Sequence, residues 1–343
     1  MAKSVLNELN CFELIQASYA AHALYFLTKI EIFEFLIAGP KTLDELNQLS
    51  KAKSDILNDL LLLATRLKFI RKKDEKYLIA RKGLQLTKAS KSWFRPYLLV
   101  WGAQLAPATI KLEEHFLTGD NAFKLAHKDT IWDYYNKNPE ASKVFVEFMH
   151  GVTNQSLIPD IVEELIIGDA KSLVDVAGGT GSLACALASK YEKLSCIICD
   201  QPSNKINADR HIQSLELENC QFIGTNIFGA IPSGHDVYTI KHVLHDWDNS
   251  NVIQILTSIA KAMRLDSRLV IIEGLLDREF SDSFDNPEFI HTRNFEQRVW
   301  TPGQVRSTKD FQSLCSQAGL RIESILPSRG FDMNYIECLR SPN

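Results

Sequence analysis

From Ser172 to the C-terminus the sequence keeps one rhythm, a short apolar run followed by an amphipathic stretch, and few folds accept it. The runs Ser172–Val176, Ser195–Asp200, Gln221–Gly224, Asp236–Val243, Arg268–Glu273, Leu320–Leu326 and Asn334–Leu339 are each of strand length. Most are separated by enough chain for a crossover helix, which predicts parallel strands with helices on both faces. Only the last two lack that room and are expected to pair antiparallel. The fold class is therefore α/β and Rossmann-like, with a seven-stranded, mostly parallel sheet and an antiparallel last strand.

Within that rhythm Leu173-Val-Asp-Val-Ala-Gly-Gly-Thr-Gly181 is the sharpest local signal, an apolar strand running into a glycine-rich turn and then a helix from Ser182 to Lys190. Glycines let a ligand approach the backbone, and the free N–H groups of a helix start attract negative or polar groups. A nucleotide-like cofactor is implied. Gly179-Thr-Gly181-Ser-Leu-Ala184 spells a dinucleotide fingerprint, and Asp200 follows about twenty residues later, so NAD and S-adenosylmethionine both remain open at this point. Asp175 favours the second, because a carboxylate there repels a pyrophosphate and suits a ligand with an amino group and a sulfonium.

The chain before Ser172 is helical. Residues 12–35 carry apolar side chains on several faces (Leu14, Ala17, Ala21, Leu24, Phe26, Ile30, Phe33), which predicts a buried helix that needs a partner to cover it. Thr42-Leu-Asp-Glu45 reads as a capping box, Ser54 as the cap of a second helix bearing Ile56, Leu60 and Leu63, and 68–71 with 77–80 as a hairpin. That is winged-helix order. Ten basic residues face two acidic ones between Arg66 and Lys91, yet the second helix offers Asp55, Asn58 and Asp59 where a DNA-reading helix wants cations. With 38 Lys+Arg against 42 Asp+Glu the chain carries −4, so a nucleic-acid partner is not expected. Further helices run from Trp93 to Glu164, interrupted at Pro107, Gly119-Asp-Asn and Pro139.

No apolar run approaches the roughly 20 residues that cross a bilayer, and the opening MAKSVLNELNCFEL has charges where a signal peptide is apolar. No membrane association and a cytoplasmic location are expected. Seven scattered cysteines in a chain of 343 residues read as reduced thiols, and Cys196-Ile-Ile-Cys199 as core packing. His242 and His245 have metal-pair spacing without a third ligand, so no metal is expected.

Asp236-Val-Tyr-Thr-Ile-Lys-His-Val-Leu-His-Asp-Trp-Asp248 joins the glycine loop, Trp101-Gly, Gly119-Asp-Asn-Ala-Phe123, Trp132-Asp-Tyr-Tyr and Asn138-Pro-Glu-Ala in a pattern that covers nearly the whole chain. It resembles the S-adenosylmethionine-dependent O-methyltransferases of the plant caffeate/acetylserotonin type and their bacterial secondary-metabolite relatives. The resemblance implies a class I methyltransferase domain over residues 165–343, a winged-helix-like dimerisation domain over 1–100, and a helical connector over 101–164 that contributes to the substrate pocket. It makes Asp175, Ala177, Gly178, Gly179 and Gly181 the cofactor loop, puts Asp200 and Gln201 at the ribose, Asn226, Ile227 and Phe228 at the adenine, and Lys241 near the cofactor. His245 matches the general base and Glu273 one of two glutamates flanking it. S-adenosylmethionine would leave as S-adenosylhomocysteine, and the acceptor would be a small aromatic or polyketide-like molecule near Trp132, Phe148, Met149, Phe289, Asn294 and Trp300. A homodimer through the N-terminal domain is also implied. The chemistry is coherent, since a phenol with a pKa near 10 needs a base poised near 7. Without the resemblance, His245 also reads as a histidine at a helix start capped by Asp246 or Asp248.

The sequence departs from that family in places. Ala177 replaces the first loop glycine, and Asn226 an acid. Pro302-Gly-Gln-Val-Arg-Ser307 stands for Gly-Gly-x-Glu-Arg-Thr, leaving Val305 at the second glutamate, with Glu288 or Glu296 as substitutes; Asn294 replaces an upstream acid. These keep a second reading open, a protein of the same fold with a non-methylating tailoring or structural role.

Overall fold

Helix α1 (Cys11–Lys29) starts where Asn10 and Glu13 cap each other, the Glu13 N–H donating to Asn10 at 3.0 Å and the Asn10 N–H to Glu13 at 2.9 Å. The computed structural model describes residues 8–277, 289–328 and 333–342, and they fall into two units, one ending at Val152 and the other beginning at Thr153. The helix expected over 12–35 is in fact two. Glu31 is left-handed (φ 62°), which ends α1 and redirects the chain into α2 (Ile32–Ile37). In the single chain Ala23, Tyr25 and Leu27 are buried, while Phe12, Ile15 and Tyr19 are 68, 57 and 66% exposed and Leu14, Ala17 and Phe26 lie exposed too, the uncovered faces for which a partner is expected.

Thr42 caps α3 (Leu43–Ser50) with the expected box. For α4 (Ser54–Arg66) the cap position belongs to Lys53, which gives no side-chain hydrogen bond, and Ser54, the expected cap, is the first helical residue, with a side chain outside the described residues. A short β1 (Lys41–Thr42) adds to the predicted hairpin, giving an antiparallel sheet in the order β1, β3 (Lys76–Ile79), β2 (Ile70–Lys73). Leu27, Phe33, Leu46, Leu57, Leu61 and Tyr77 form the core beneath this wing. The unit continues through α5 (Phe94–Val100), a π-helical turn at Trp101–Leu105, α6 (Ala106–Thr109), α7 (Leu112–Thr118), α8 (Ala122–His127), α9 (Ile131–Lys137) and α10 (Pro139–Val152).

The second unit opens with α11 (Ile158–Glu164) and builds the sheet from β4 (Ser172–Val176), β5 (Ser195–Asp200), β6 (Cys220–Gly224), β7 (Val237–Lys241), β8 (Arg268–Glu273), β9 (Leu320–Pro327) and β10 (Asn334–Arg340). The strand order is β6-β5-β4-β7-β8-β10-β9, parallel except for β10, which runs antiparallel to both neighbours. All seven strands were legible as apolar runs. Helices α12 (Ser182–Lys190), α13 (Lys205–Ser214), α14 (Asn249–Ala262), α15 (Phe289–Trp300) and α16 (Thr308–Gln317) accompany it. Val174, Ile197, Tyr238, Leu256, Ile271 and Ile336 belong to the core. Each fully buried aliphatic side chain is worth about 1.5–3 kcal/mol relative to exposure, so the centre of the sheet is a rigid platform. Cys196 and Cys199 are buried in β5 and burial pushes both thiols up to about 12, as core packing requires. Among the described residues no helix is long and apolar enough to cross a membrane.

Candidate active site

The strand order reverses between β4 and β7, since β4 continues to β5 on one side and β7 to β8 on the other. In open α/β sheets ligands settle at such a point, beyond the C-terminal ends of the strands. Register puts the ends level, with Val176 beside Cys199, Asp200 beside Gly224, and Lys241 beside Ile272. Asp175, the glycine loop, Asp200, Lys241, His245 and Glu273 therefore come from adjacent strand ends although they span a hundred residues of sequence.

The loop after β4 is shaped for a ligand. A Cβ on Gly178 would sit 2.7 Å from the Asp175 carboxylate, and one on Gly181 (φ 83°) 2.2 Å from Ile198, so both must be glycine. Gly179 (φ 59°) faces open space, leaving its backbone approachable. Ala177 is itself left-handed (φ 55°), so replacing the expected glycine holds an L-residue in a costly conformation. Its N–H donates to the Cys199 carbonyl at 2.7 Å. Asp200 is organised by three donors, the N–H groups of Gly179 (2.7 Å) and Gln201 (2.6 Å) and the Asn204 amide (2.8 Å). One acceptor site, on Oδ2, is left to take a hydroxyl. Asn226 accepts the Phe228 N–H at 3.0 Å in a local turn, next to Ile227, and the Phe228 ring meets Trp247 edge-on at 4.8 Å.

Asp175 is 2% exposed, and burial raises its carboxyl to about 6 even though the Thr239 hydroxyl (2.8 Å) and the Lys241 charge pull it down. Burial in turn lowers Lys241, against the pull of Asp175 and Glu273. Thr239, whose fully buried hydroxyl donates to Asp175, carries no signal in the sequence that marks it as part of the site.

The turn that carries His245 follows β7. Glu273, at the end of β8, accepts the N–H groups of Val243, Leu244 and His245 at 3.1, 3.0 and 3.4 Å with one oxygen and meets His245 Nδ1 at 2.7 Å with the other. Burial works against its charge, but His245, the Arg293 charge and the main-chain donors outweigh it and hold the carboxyl below its ordinary range. With the proton of the imidazole on Nδ1, Nε2 is left as the basic nitrogen. Asp246 Oδ1 lies 3.7 Å from that Nε2 and accepts from the Gln297 amide at 2.7 Å; burial raises its carboxyl. Asp248, not Asp246, caps the next helix, accepting the Asn251 N–H at 2.9 Å. Among the described residues the carboxylates within 4 Å of the His245 ring nitrogens are Glu273 and Asp246. Glu296 does not take that place, and Glu288 lies outside the described residues.

The segment after α15 packs under this turn. A Cβ on Gly303 would meet the His245 carbonyl at 2.0 Å, and Arg306, 1% exposed, donates to the carbonyls of Leu244 and Trp247 at 2.7 Å each and to Asn249 at 2.9 Å. Both were read only as members of a motif; their role as the floor of the turn appears only in three dimensions. Asn294 accepts the Val305 N–H at 3.0 Å, so its carbonyl positions that segment, and Val305 is buried. Trp300 ends α15 half-buried, and Phe289 opens it with a side chain outside the described residues. In the first unit, Phe148 stacks on Tyr97 at 4.9 Å, Trp132 meets Phe145 edge-on at 6.4 Å with its indole N–H buried and unpartnered, and Met149 is half-buried. Among the described residues no group of three or more His, Cys, Asp or Glu could hold a metal ion.

Residues 110–321 match the O-methyltransferase domain family. The chain is similar to the mitomycin biosynthesis 6-O-methyltransferase of Streptomyces lavendulae, 28% identical over 96% of this chain and 93% of that protein. The structure of a mitomycin 7-O-methyltransferase superposes with a TM-score of 0.88 at 27% identity, covering 96% of each chain. An O-methyltransferase from neocarzinostatin biosynthesis, solved with S-adenosylmethionine and 2-hydroxy-5-methyl naphthoic acid, shares the fold at a TM-score of 0.83 and 21% identity, over 93% of this chain and 95% of that one.

Proposed function

The chain belongs to the O-methyltransferase domain family and is an S-adenosylmethionine-dependent O-methyltransferase, and from that premise we propose that it methylates a phenolic or enolic hydroxyl of a small aromatic or polyketide-like natural product with His245 as general base. The observation that carries this reading is the 2.7 Å contact between Glu273 and His245 Nδ1, which leaves Nε2 to take the hydroxyl proton. Glu273 fixes the ring and, with Asp246, stabilises the imidazolium.

S-adenosylmethionine supplies a methyl group already bonded to a good leaving group. What the protein adds is positioning and exclusion of water. Asp175 would offer its carboxylate to the amino group of the ligand, the backbone of Ala177 to Gly181 would cradle it, Asp200 and Gln201 would meet the ribose, Asn226, Ile227 and Phe228 would border the adenine, and Lys241 would lie near the cofactor. On the side of the catalytic domain, Asn294 and Trp300 of α15 would border a flat acceptor.

We further propose a homodimer through the N-terminal domain, since the Phe12, Ile15 and Tyr19 stripe leaves a large apolar surface on α1 in water. Seven thiols with no disulfide among them suit a reducing compartment, and we place the protein in the cytoplasm.

Calorimetric titration with S-adenosylmethionine, S-adenosylhomocysteine and NAD tests the cofactor; the first two are expected to bind at micromolar levels and NAD not at all. Labelled methyl transfer to a panel of phenols tests the reaction. His245→Ala should abolish turnover while leaving S-adenosylmethionine affinity within a few fold, and loss of cofactor binding in that variant would reject its role as base.

A further inference from the structure

Two groups beside the catalytic turn have no task in the chemistry described above. His242 follows β7 with a left-handed backbone (φ 53°), is 8% exposed, and has a buried Nε2 with no hydrogen-bond partner. Its ring lies 5.5 Å from that of His245, with the planes 55° apart. Buried side-chain nitrogens are ordinarily bonded, so an orphan next to the base calls for a ligand. Strained backbone of this kind also gathers at functional sites.

Arg293 is the second group. It lies on α15 four residues before Gln297, whose amide reaches Asp246 on the turn after β7 at 2.7 Å. Residues i and i+4 share a helix face, so the guanidinium is carried on the face that meets the turn. Its charge is felt there by Lys241, His242, Asp246 and Glu273. Among the described residues it forms no ion pair and no hydrogen bond. Burial and the charges of Arg293, Lys241 and His245 keep His242 neutral, so the ring offers an N–H without adding a charge of its own.

We propose that Arg293 and His242 form an acid-binding subsite, and that the acceptor is therefore a hydroxylated aromatic bearing a carboxylate close to the hydroxyl presented to His245. The inference rests on the methyl-transfer reading above. The planar guanidinium matches a carboxylate with two parallel hydrogen bonds, and the His242 N–H supplies a third donor. A carboxylate held this way sets which ring hydroxyl reaches Nε2, so the subsite determines regiochemistry as well as affinity.

The test pairs a hydroxynaphthoic acid with its methyl ester, titrated into protein saturated with S-adenosylhomocysteine. Wild type should bind the acid more tightly than the ester. Arg293→Gln should weaken the acid by about thirtyfold or more, as losing one partner of a desolvated charge pair does, with little change for the ester; Arg293→Lys should recover part of the loss, and His242→Phe should weaken the acid by several fold. Equal losses for acid and ester, or no loss for either, would overturn the proposal. The methionine carboxylate of the cofactor is the other source of the same chemistry, so a loss of S-adenosylmethionine affinity in Arg293→Gln would overturn it as well. Wild type that binds no S-adenosylmethionine would instead defeat the methyl-transfer reading itself, which separates the two failures.

Discussion

Glu273 meets His245 at both the ring and the main chain: one carboxylate oxygen accepts from Nδ1 at 2.7 Å, and the other gathers the N–H groups of residues 243 to 245. A single buried side chain thus sets the tautomer of His245, the proposed base, and the shape of the turn that carries it. Glu273→Gln keeps the size and can still accept from the main chain, but its amide would donate to Nδ1 and drive the proton to Nε2. We expect kcat to fall roughly 10³-fold or more, by analogy with the loss of the orienting acid in a serine protease triad, while S-adenosylmethionine still binds. Retention of most of the activity would show that Glu273 only shapes the turn.

Asp175 gives a pH dependence with a definite sign. Its folded pKa of about 6 lies above the ordinary 3.8 because of burial, so the ligand-free protein loses stability as pH rises through about 6. The charged form is the one an ammonium group needs. Affinity for S-adenosylmethionine should therefore fall as pH drops below about 6 and level off above it. Asp175→Asn should flatten that profile and stabilise the ligand-free protein at pH 7 by up to about 3 kcal/mol, two pKa units at about 1.4 kcal/mol each. Calorimetry and thermal unfolding across pH 5 to 8 check both, and a wild-type affinity independent of pH over that range would reject the assigned contact.

Among the described residues Asp246 is the carboxylate nearest His245 Nε2, while the second-glutamate position of the motif holds the buried Val305. The Asp246 carboxylate lies 3.7 Å from Nε2, the nitrogen that would share the positive charge if His245 is the base we propose. Asp246→Asn should keep the bond to Gln297 yet lower kcat by about 10- to 100-fold, the scale of losing one positioned charge at a reacting centre. Cofactor affinity should hold. Unchanged kcat would place the acid in the fold rather than in the chemistry.

The sheet was legible because parallel strands buried on both faces must be written as apolar runs, and Ser172–Val176 or Arg268–Glu273 leave no other reading. The glycine loop was legible because left-handed backbone at Gly179 and Gly181 needs glycine. Pairings between distant segments were not. Nothing adjacent to Gly303 or Arg306 in sequence announces that they support the turn 60 residues earlier, and Asp246 reads as a helix cap until Asp248 is seen to fill that position. The end of α1 at Glu31 was hidden for another reason: apolar spacing continues across it, and only the left-handed φ reveals the break.

Gly303 makes the support of the turn testable without touching a reacting group. An added methyl would lie 2.0 Å from the His245 carbonyl and 2.6 Å from the Asp246 carbonyl carbon, both main chain and unable to step aside cheaply. Gly303→Ala should destabilise the protein by about 1–3 kcal/mol, the range for overpacking, and lower kcat by displacing His245. An unaltered melting temperature and kcat would mean the segment moves freely away from the turn.

The stripe on α1 predicts the assembly. Phe12, Ile15 and Tyr19 recur at helical spacing, so they share one face, and all three are more than half exposed on a helix that is properly capped and therefore formed. A formed helix with that much apolar surface in water favours burial against a second copy of itself, since each such side chain gains about 1.5–3 kcal/mol on burial. Light scattering should give about twice the 38.8 kDa of one chain. Phe12→Asp with Tyr19→Glu should shift the protein toward the monomer, and because neither residue is near the catalytic turn in sequence or unit, the monomer should still bind S-adenosylmethionine. A wild-type protein that stays at one chain's mass at micromolar concentration would remove the dimer.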